Sequence, residues 1–442
     1  MIVVAGNGKS GKSAYDYLKR KGELVKFLSQ DDLDKNSFKK EELDRLFEGL
    51  SFIVKSPGIS FENEFIKQAR AKKVKVIDEF ELGVKNIKAD ILAVTGTNGK
   101  TTTVSLINFL LKGYKNKTFL GGNIGVPVTS FCDKVEPSDV VVLECSSFQL
   151  EKNSSFKPHI SAILNVTPDH LNRHKTLRNY AKAKYNICKK QTEKDFLILN
   201  ADDDFLLKNP PKTKAQIFYF STKKQVKGCY VKNGYIYFND NLVCKKLASV
   251  KIIKLVGDHN LSNVLCGILM VYLKTKNFDF IGEISNFMSV SHRIEFVKKI
   301  SGIEFFNDSK ATNISSTLSA IKSFKNGINL ILGGSDKGYE FDEIFAKIPK
   351  NVKNIAVFGQ TKQKIALSAK KFGFENLYIC DSLKSATHLL FELASIGEVV
   401  LLSPACASFD CFSNYEERGD FFKKIVKEID DENSLFDAKK KI

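Results

Sequence analysis

Along this chain, short apolar runs alternate with longer stretches in which apolar residues recur three and four positions apart. Over residues 1–90 the runs IVVAG, LVKFLS, FIVKSPGIS and VKVID predict strands, and AYDYLKRKG and EFIKQARAKK predict helices between them. Strands that end in Gly, Ser or Pro and are separated by helices are the mark of an α/β unit. A second series opens at ADILAVTGTNGKTTTVSLINFLL and continues through VVVLECSSFQL, ISAILNVTPDH and FLILNADD. Between about 215 and 256 the pattern changes. There IFYFS, GCYVKNGYIYFND and VKIIKLVG, with aromatic alternation and an Asn-Gly turn, predict antiparallel hairpins. The helical period returns at HNLSNVLCGILMVYL. A third series follows SHRIEFVKKISGIEFFNDSKATN, with strands INLILGG, IAVFGQ, LYICD and VVLLSPA. The expectation is an α/β protein of three successive domains, 1–90, 91–291 and 292–442. In such sheets ligands gather at the carboxyl ends of the strands, so the loops there are where chemistry belongs.

Composition narrows the class. A chain of 442 residues with 43% hydrophobic content supports two or three packed cores. No run of eighteen apolar residues occurs, and IVVAG is not preceded by a basic-then-apolar leader, so a soluble cytoplasmic protein without membrane insertion is expected. The net charge of +18 invites a nucleic-acid reading, yet the lysines are spread evenly and only seven of 68 basic residues are arginine. Solvated surface lysines account for the charge, and no nucleic-acid partner is expected. The nine cysteines are scattered singly without a C-x-x-C pair, which points to reduced, buried thiols rather than a zinc site or disulfide framework.

Two loops compete for a phosphate. The first, GNGKSGKS after IVVAG, satisfies both G-x-G-x-x-G through Gly6, Gly8 and Gly11, and G-x-x-x-x-G-K-[ST] through Gly6, Gly11, Lys12 and Ser13. Among the strands of residues 1–90, IVVAG, LVKFLS and FIVKSPGIS end without a carboxylate for magnesium, and only VKVID ends in an acid. Asp31 and Asp32 instead lie about 20 residues past the last glycine, where a dinucleotide-binding pattern places a ribose-binding acid. The second loop, VTGTNGKTT, is shorter than the strict pattern but has the better context. A strand runs into Gly96, Thr97, Asn98, Gly99, Lys100, Thr101 and Thr102, and a helix follows. Backbone amides there cradle phosphates, Lys100 reaches terminal phosphate oxygens and the Thr101 hydroxyl reaches Mg²⁺. Glu144, at the end of VVVLE, supplies the hard carboxylate that Mg²⁺ requires. The second loop is therefore assigned to ATP.

The segments GTNGKTT, GGNIGVP, ECSSFQLE, NVTPDHLNRH, NADDD, GDHNLSN, HRIE, NDSKATN, GGSDKG and SPACASFDCF occur in this order over nearly the whole chain. Together they resemble the Mur ligase family, the ATP-dependent amide ligases that build the peptidoglycan stem peptide. NDSKATN and SPACASFD resemble its D-glutamate-adding branch. The resemblance implies a Rossmann-like domain for UDP-N-acetylmuramoyl-L-alanine, a central P-loop-type ATPase domain with extra β-hairpins, and a Rossmann-like C-terminal domain for D-glutamate. It implies two Mg²⁺ ions, ATP as co-substrate, an acyl-phosphate intermediate and a monomer.

The same resemblance gives each position a role. Lys9, Ser10, Ser56, Pro57, Gly58, Asn123, Ser146 and Gln149 would contact the UDP substrate. The family's acid near the second strand falls at Ser29 or Gln30 here, with the acids one or two residues later. Lys100, Glu144, His170 and Lys184 would be catalytic, with Thr101 and Glu144 on one metal and His170 on the other, and with Lys184 carbamylated to bridge magnesium. Without the motif, His170 reads as a structural loop histidine, and Lys182, Lys184 and Lys189 read as one solvated helix face. Asn260, Asn263, Arg293 and Asp308 would contact the adenine, ribose and phosphates. Lys310, Thr312, Lys337, Ser408 and Tyr415 would hold D-glutamate, a dicarboxylate that calls for convergent cations and donors. In GGSDKG, Ser335 stands where the family pattern has aspartate, with Asp336 next to it. The alternatives are a sister or folylpolyglutamate-type ligase with another acceptor, and a nicotinamide-dependent oxidoreductase, which leaves GTNGKTT and Glu144 unexplained.

Overall fold

The computed structural model describes residues 1–29, 45–114, 116–152, 156–255, 257–288, 290–338 and 340–439. The candidate ribose acids Asp31 and Asp32 lie outside the described residues, as does Gln30, one of the two positions where the family's acid falls. The chain divides into two compact units, one of residues 1–252 with 262–285 and one of residues 253–261 with 286–442.

The first unit contains two sheets. Four parallel strands, β1 (Ile2–Ala5), β2 (Val25–Leu28), β3 (Phe52–Lys55) and β4 (Val76–Asp78), stand in the order β2-β1-β3-β4. The second sheet has nine strands: β5 (Asp90–Thr95), β6 (Thr118–Gly122), β7 (Val140–Glu144), β8 (Ile160–Ile163), β9 (Phe196–Asn200), β10 (Gln216–Ser221), β11 (Gly228–Lys232), β12 (Tyr235–Asn239) and β13 (Cys244–Ser249). Their order is β13-β12-β11-β10-β9-β8-β5-β7-β6. β1, β7 and β8 are buried at every residue, as strands covered on both faces must be, and this is why they read as unbroken apolar runs. The carboxyl ends of β8, β5, β7 and β6 lie side by side, so the loops NVTPDH, GTNGKTT, ECSS and GGNIG are neighbours.

The hairpin expectation needs correction. IFYFS, in β10, pairs in parallel with both β9 and β11, and only β11–β12–β13 is antiparallel. The last strand is CKKLAS rather than VKIIKLVG, whose first residues form a 3₁₀ turn at Val250–Ile252. As a sheet edge β13 carries lysines, which blunt edge-to-edge association, and a charged edge has no apolar alternation to announce it. Lys246 lies opposite Tyr237 and places its Nζ over the ring of Tyr235.

In the second unit a six-stranded sheet has the order β14-β15-β19-β16-β17-β18, with β14 (Glu295–Ile300), β15 (Ile303–Asn307), β16 (Ile328–Gly333), β17 (Val352–Phe358), β18 (Leu377–Ile379) and β19 (Val399–Leu402). Only the β14–β15 hairpin is antiparallel. The neighbouring strands β15, β19, β16 and β17 deliver NDSKATN, SPACASFD, GGSDKG and GQT to one end of the sheet. All nine cysteines are free thiols, seven of them buried. Among the described residues no helix is long and apolar enough to cross a membrane.

Candidate active site

β5 ends at Thr95, and the chain turns through Gly96 (φ 157°) and Gly99 (φ 86°) into the helix Lys100–Leu110. Gly99 is obligatory on two counts. Its φ is left-handed, and a Cβ there would stand 2.3 Å from Oδ1 of Asn263, on the helix Asp258–Thr275. Asn263 is thus packed against the phosphate loop. Thr97 and Asn98 are braced by the loop after β8. Thr97 N donates to Asn165 O across 3.0 Å, and Asn98 N donates to Asn165 Oδ1 across 2.8 Å. Asn165 Nδ2 donates back to Asn98 O across 3.1 Å.

The Thr101 hydroxyl, almost wholly buried, donates to Oε2 of Glu144 across 2.7 Å, and Asn123 Nδ2 donates to Oε1 across 2.8 Å. Three predicted residues from three loops therefore meet on one carboxylate. Lys100 Nζ donates to Gly96 O and Thr97 O, both at 2.8 Å. Thr102 is buried in the first helical turn.

Lys184 is not on a solvated helix face. Lys182 and Lys189 are exposed, but Lys184 is 1% exposed, donates to Gly96 O across 2.8 Å and lies over the Tyr180 ring. The helix Leu177–Tyr185 turns this one lysine inward onto the phosphate loop. Burial, reinforced by the charge of Lys100, pushes its ammonium well below the usual lysine range. His170 stands at the N-cap position of the short helix Leu171–His174 with φ 52°, in the left-handed region that few residues other than glycine adopt, and its ring packs against Phe148.

The first glycine loop is built as a tight turn. A Cβ on Gly11 would come within 1.8 Å of Gly6 O, and Ser56 Oγ donates to Gly6 O across 3.2 Å. Lys9 Nζ donates to Gly125 O across 2.7 Å, tying this loop to GGNIG. Ser10, Ser56 and Pro57 are half-buried, Gly58 is exposed, and Lys12 points to solvent. Ser146 and Gln149 are bonded to each other, forming the capping box of the short helix Ser147–Leu150.

In the second unit, Asp308 is buried, accepts from Ser403 Oγ across 2.7 Å, and is pushed up to about 7 by burial. Arg293 is half-buried and its charge opposes that shift, while Asn260 is buried near the start of its helix. Lys310 Nζ donates to Tyr415 Oη across 2.8 Å, and Lys337 Nζ reaches Thr312 O at 3.5 Å. Ser408 is buried. The candidate acceptor residues thus fall into two bonded pairs with Ser408 on the adjoining loop.

The strongest organiser here is a residue that the pattern did not flag. Arg418, with no exposed surface, donates to Ser309 Oγ and O, Cys406 O and Ala407 O at 2.7–3.1 Å. It stitches NDSKATN to SPACASFD. Asn165 was likewise missed, although it opens NVTPDH; its signal was an asparagine two residues past the end of a buried strand.

Among the described residues no three His, Cys, Asp or Glu side chains gather as a metal cage. Mg²⁺ bound through phosphates needs only one or two protein oxygens, and the Thr101 hydroxyl and Glu144 carboxylate are of that hard type.

Residues 94–271 match the Mur ligase middle domain, and residues 292–406 match the Mur ligase glutamate ligase domain. The UDP-N-acetylmuramoylalanine–D-glutamate ligase of Caldanaerobacter subterraneus subsp. tengcongensis is 44% identical over 396 residues, 89% of this chain and 86% of that protein. The ligase of the same name from Thermoanaerobacter sp. (strain X514) is 42% identical over 450 residues, covering 97% of this chain and 98% of its own. In fold, the chain is similar to the UDP-N-acetylmuramate-alanine ligase MurC of Thermotoga maritima, with a TM-score of 0.60 at 19% identity, over 97% of this chain and 99% of that one.

Proposed function

The chain belongs to the Mur ligase family, and from that premise we propose how its residues divide the work. It is an ATP-dependent ligase that adds D-glutamate to UDP-N-acetylmuramoyl-L-alanine in peptidoglycan precursor synthesis. The γ-phosphoryl group passes from ATP to the substrate carboxylate, giving ADP and an acyl phosphate. The amine of D-glutamate attacks the acyl carbon, and inorganic phosphate leaves as the amide forms. The observation that carries the assignment of roles is the meeting of Thr101, Glu144 and Asn123 at the head of the helix Lys100–Leu110.

Phosphoryl transfer depends on position and charge rather than covalent help. The amides of Gly96–Thr102 face the phosphates at a helix N-terminus, and Lys100 swings from the loop carbonyls to the transferring group. Mg²⁺, when bound, would supply neutralisation of the phosphate charge. Thr101 and Glu144 would hold one ion, and His170 with carbamylated Lys184 a second. Burial pushes the Lys184 ammonium below the usual lysine range, and in its amine form Nζ would bond to the carbon of CO₂ and release one proton, giving a carboxylate that keeps an N–H for Gly96 O. Asn260, Asn263, Arg293 and Asp308 hold the nucleoside of ATP.

At the other substrate, Lys9, Ser10, Ser56, Pro57, Gly58, Asn123, Ser146 and Gln149 line the UDP-sugar path. The bonds from Lys9 to Gly125 O and from Ser56 to Gly6 O support one shared substrate channel across these loops. Lys310, Thr312, Lys337, Ser408 and Tyr415 receive D-glutamate. The three domains 1–90, 91–291 and 292–442 thus take UDP substrate, ATP and amino acid in turn, in a cytoplasmic monomer. The test is phosphate release from ATP with UDP-N-acetylmuramoyl-L-alanine and each candidate amino acid. D-glutamate should support turnover, and equal use of L-alanine or L-lysine would overturn the acceptor assignment.

A further inference from the structure

The loop that carries Lys337 leaves the sheet at Gly333, and its last backbone bond to the neighbouring loop is Ser335 N to Ala407 O at 2.9 Å. Lys337 itself is exposed, two residues beyond that bond. What holds it in place comes from side chains. Asp410 N donates to Ser335 Oγ across 2.8 Å, and Ser335 Oγ lies 3.3 Å from Asp410 Oδ1. The other carboxylate oxygen, Oδ2, accepts from Gln360 N across 2.9 Å. Gln360 in turn accepts from Asp336 N across 3.1 Å at its Oε1. One carboxylate therefore joins the loops after β19, β16 and β17, and the circuit closes on the residue before Lys337.

A separate feature shows that this close approach is built in. Gly359 has φ 73°, and a Cβ there would stand 2.3 Å from Asp410 Oδ2. Glycine is required both for the turn and for the carboxylate to reach Gln360 N. Asp410 also lies two residues past buried Ser408, whose carbonyl accepts from Cys411 N and Phe412 N. The segment bearing Ser408 and Asp410 is thus a folded turn.

We propose that Asp410 is a positioning residue for acceptor recognition: by binding Ser335 and Gln360 it fixes the distance between Lys337 and Ser408. This rests on the reading that Lys337 and Ser408 hold D-glutamate. Asp410 does not touch the acceptor; it acts through Lys337.

The experiment is steady-state kinetics of the full chain with Asp410→Ala, Lys337→Ala and the double variant, each substrate varied in turn. Loss of two hydrogen bonds should raise the D-glutamate KM by about 5- to 30-fold, with the KM values for ATP and the UDP substrate within about twofold of wild type. On the Lys337→Ala background, Asp410→Ala should change the D-glutamate KM less than about twofold, the non-additivity expected of residues acting as one unit. Asp410→Asn, which still presents an acceptor to Gln360 N and a donor to Ser335 Oγ, should recover most of the loss. An unchanged D-glutamate KM in Asp410→Ala, while Lys337→Ala raises it, would overturn the proposal and leave the acceptor site standing. An Asp410→Ala effect that persists undiminished without Lys337 would also overturn it. An unchanged KM in Lys337→Ala would instead remove the acceptor reading, and this proposal with it. If Asp410→Ala does not fold, Ser335→Ala combined with Gln360→Ala opens the same circuit and is judged by the same outcomes.

Discussion

Thr101 and Asn123 share the two oxygens of Glu144, the hydroxyl on Oε2 at 2.7 Å and the amide on Oε1 at 2.8 Å. Each oxygen accepts from a donor on a different loop, so the carboxylate is oriented before any nucleotide arrives. Glu144→Gln sets an N–H₂ group against one of these donors and removes the charge that a hard cation seeks. Turnover should fall ~10²-fold or more, and the mismatched buried donor should cost about 1–3 kcal/mol of stability. Phosphate release and urea denaturation read the two effects separately. Activity within tenfold of wild type would remove Glu144 from the site.

The two glycine loops are told apart by their lysines. Lys100 donates to Gly96 O and Thr97 O at 2.8 Å, whereas Lys12 is exposed on the outer face of its helix. Lys100→Ala should lose turnover by ~10²-fold or more, as expected for a charge placed on the transferring group. Lys12→Ala should leave kcat and the ATP KM close to wild type. The opposite result in parallel assays would mean that the strict sequence pattern, not the strand-and-carboxylate context, marks the ATP loop.

What the sequence disclosed and what it hid follow from burial. Parallel strands such as VVVLE are covered on both faces, so they stand out as apolar runs, and Glu144 stands out as the acid that ends one. The edge strand CKKLAS has no buried face to impose alternation and went unseen. Lys184 looked like its neighbours Lys182 and Lys189 because helical spacing alone does not say which lysine turns inward; the contact with Gly96 O, 88 residues away, decides it. Arg418 sits between Glu417 and Gly419 in a polar stretch, and its partners lie on loops whose approach depends on strand order, which no local pattern encodes. Ser146 and Gln149 show the reverse case, a pair legible as site residues whose visible bonds build a helix cap.

Glu79 links acid–base chemistry to stability. Its Oε1 accepts from Thr129 N and Oγ1, both at 2.8 Å, while the buried Oε2 has no hydrogen-bond partner among the described residues. Burial pushes the carboxyl up to about 7, against the lowering effect of the Thr129 bonds. The folded state therefore holds the proton between about 4.5 and 7, where the unfolded chain has lost it. The stability contributed by the protonated group is complete below that window and is lost as pH rises through 7. Glu79→Gln stays neutral throughout, so its stability relative to wild type should rise between pH 5 and pH 8, by up to ~2–3 kcal/mol. Urea denaturation at the two pH values checks this. A gap independent of pH would show that the Glu79 proton is not linked to folding.

For Lys184, buried and donating to Gly96 O, Lys184→Ala should be nearly inactive. If the native residue works as a carbamate, small carboxylates such as acetate should restore part of the activity by supplying the missing oxygen ligand. Rescue by methylamine rather than acetate would indicate that the amine itself is the working group.

Arg418 closes the acceptor end of the second unit. Its guanidinium reaches Ser309 Oγ and O, Cys406 O and Ala407 O at 2.7–3.1 Å, all out of solvent. A planar fork of five N–H donors suits four acceptors on two loops; a lysine ammonium, compact and at a different reach, does not. Arg418→Lys keeps the charge but leaves at least one buried acceptor unmet, a loss of about 1–3 kcal/mol for each. The loops so released are those bearing Lys310 and Ser408, so the D-glutamate KM should rise by more than the ATP KM. The melting temperature should fall with it, because the same bonds hold β15 and β19 together beyond their last paired residues. Measuring both in one variant separates the possibilities. A lowered melting temperature with an unchanged D-glutamate KM would show that the fork stabilises the domain without shaping the acceptor site.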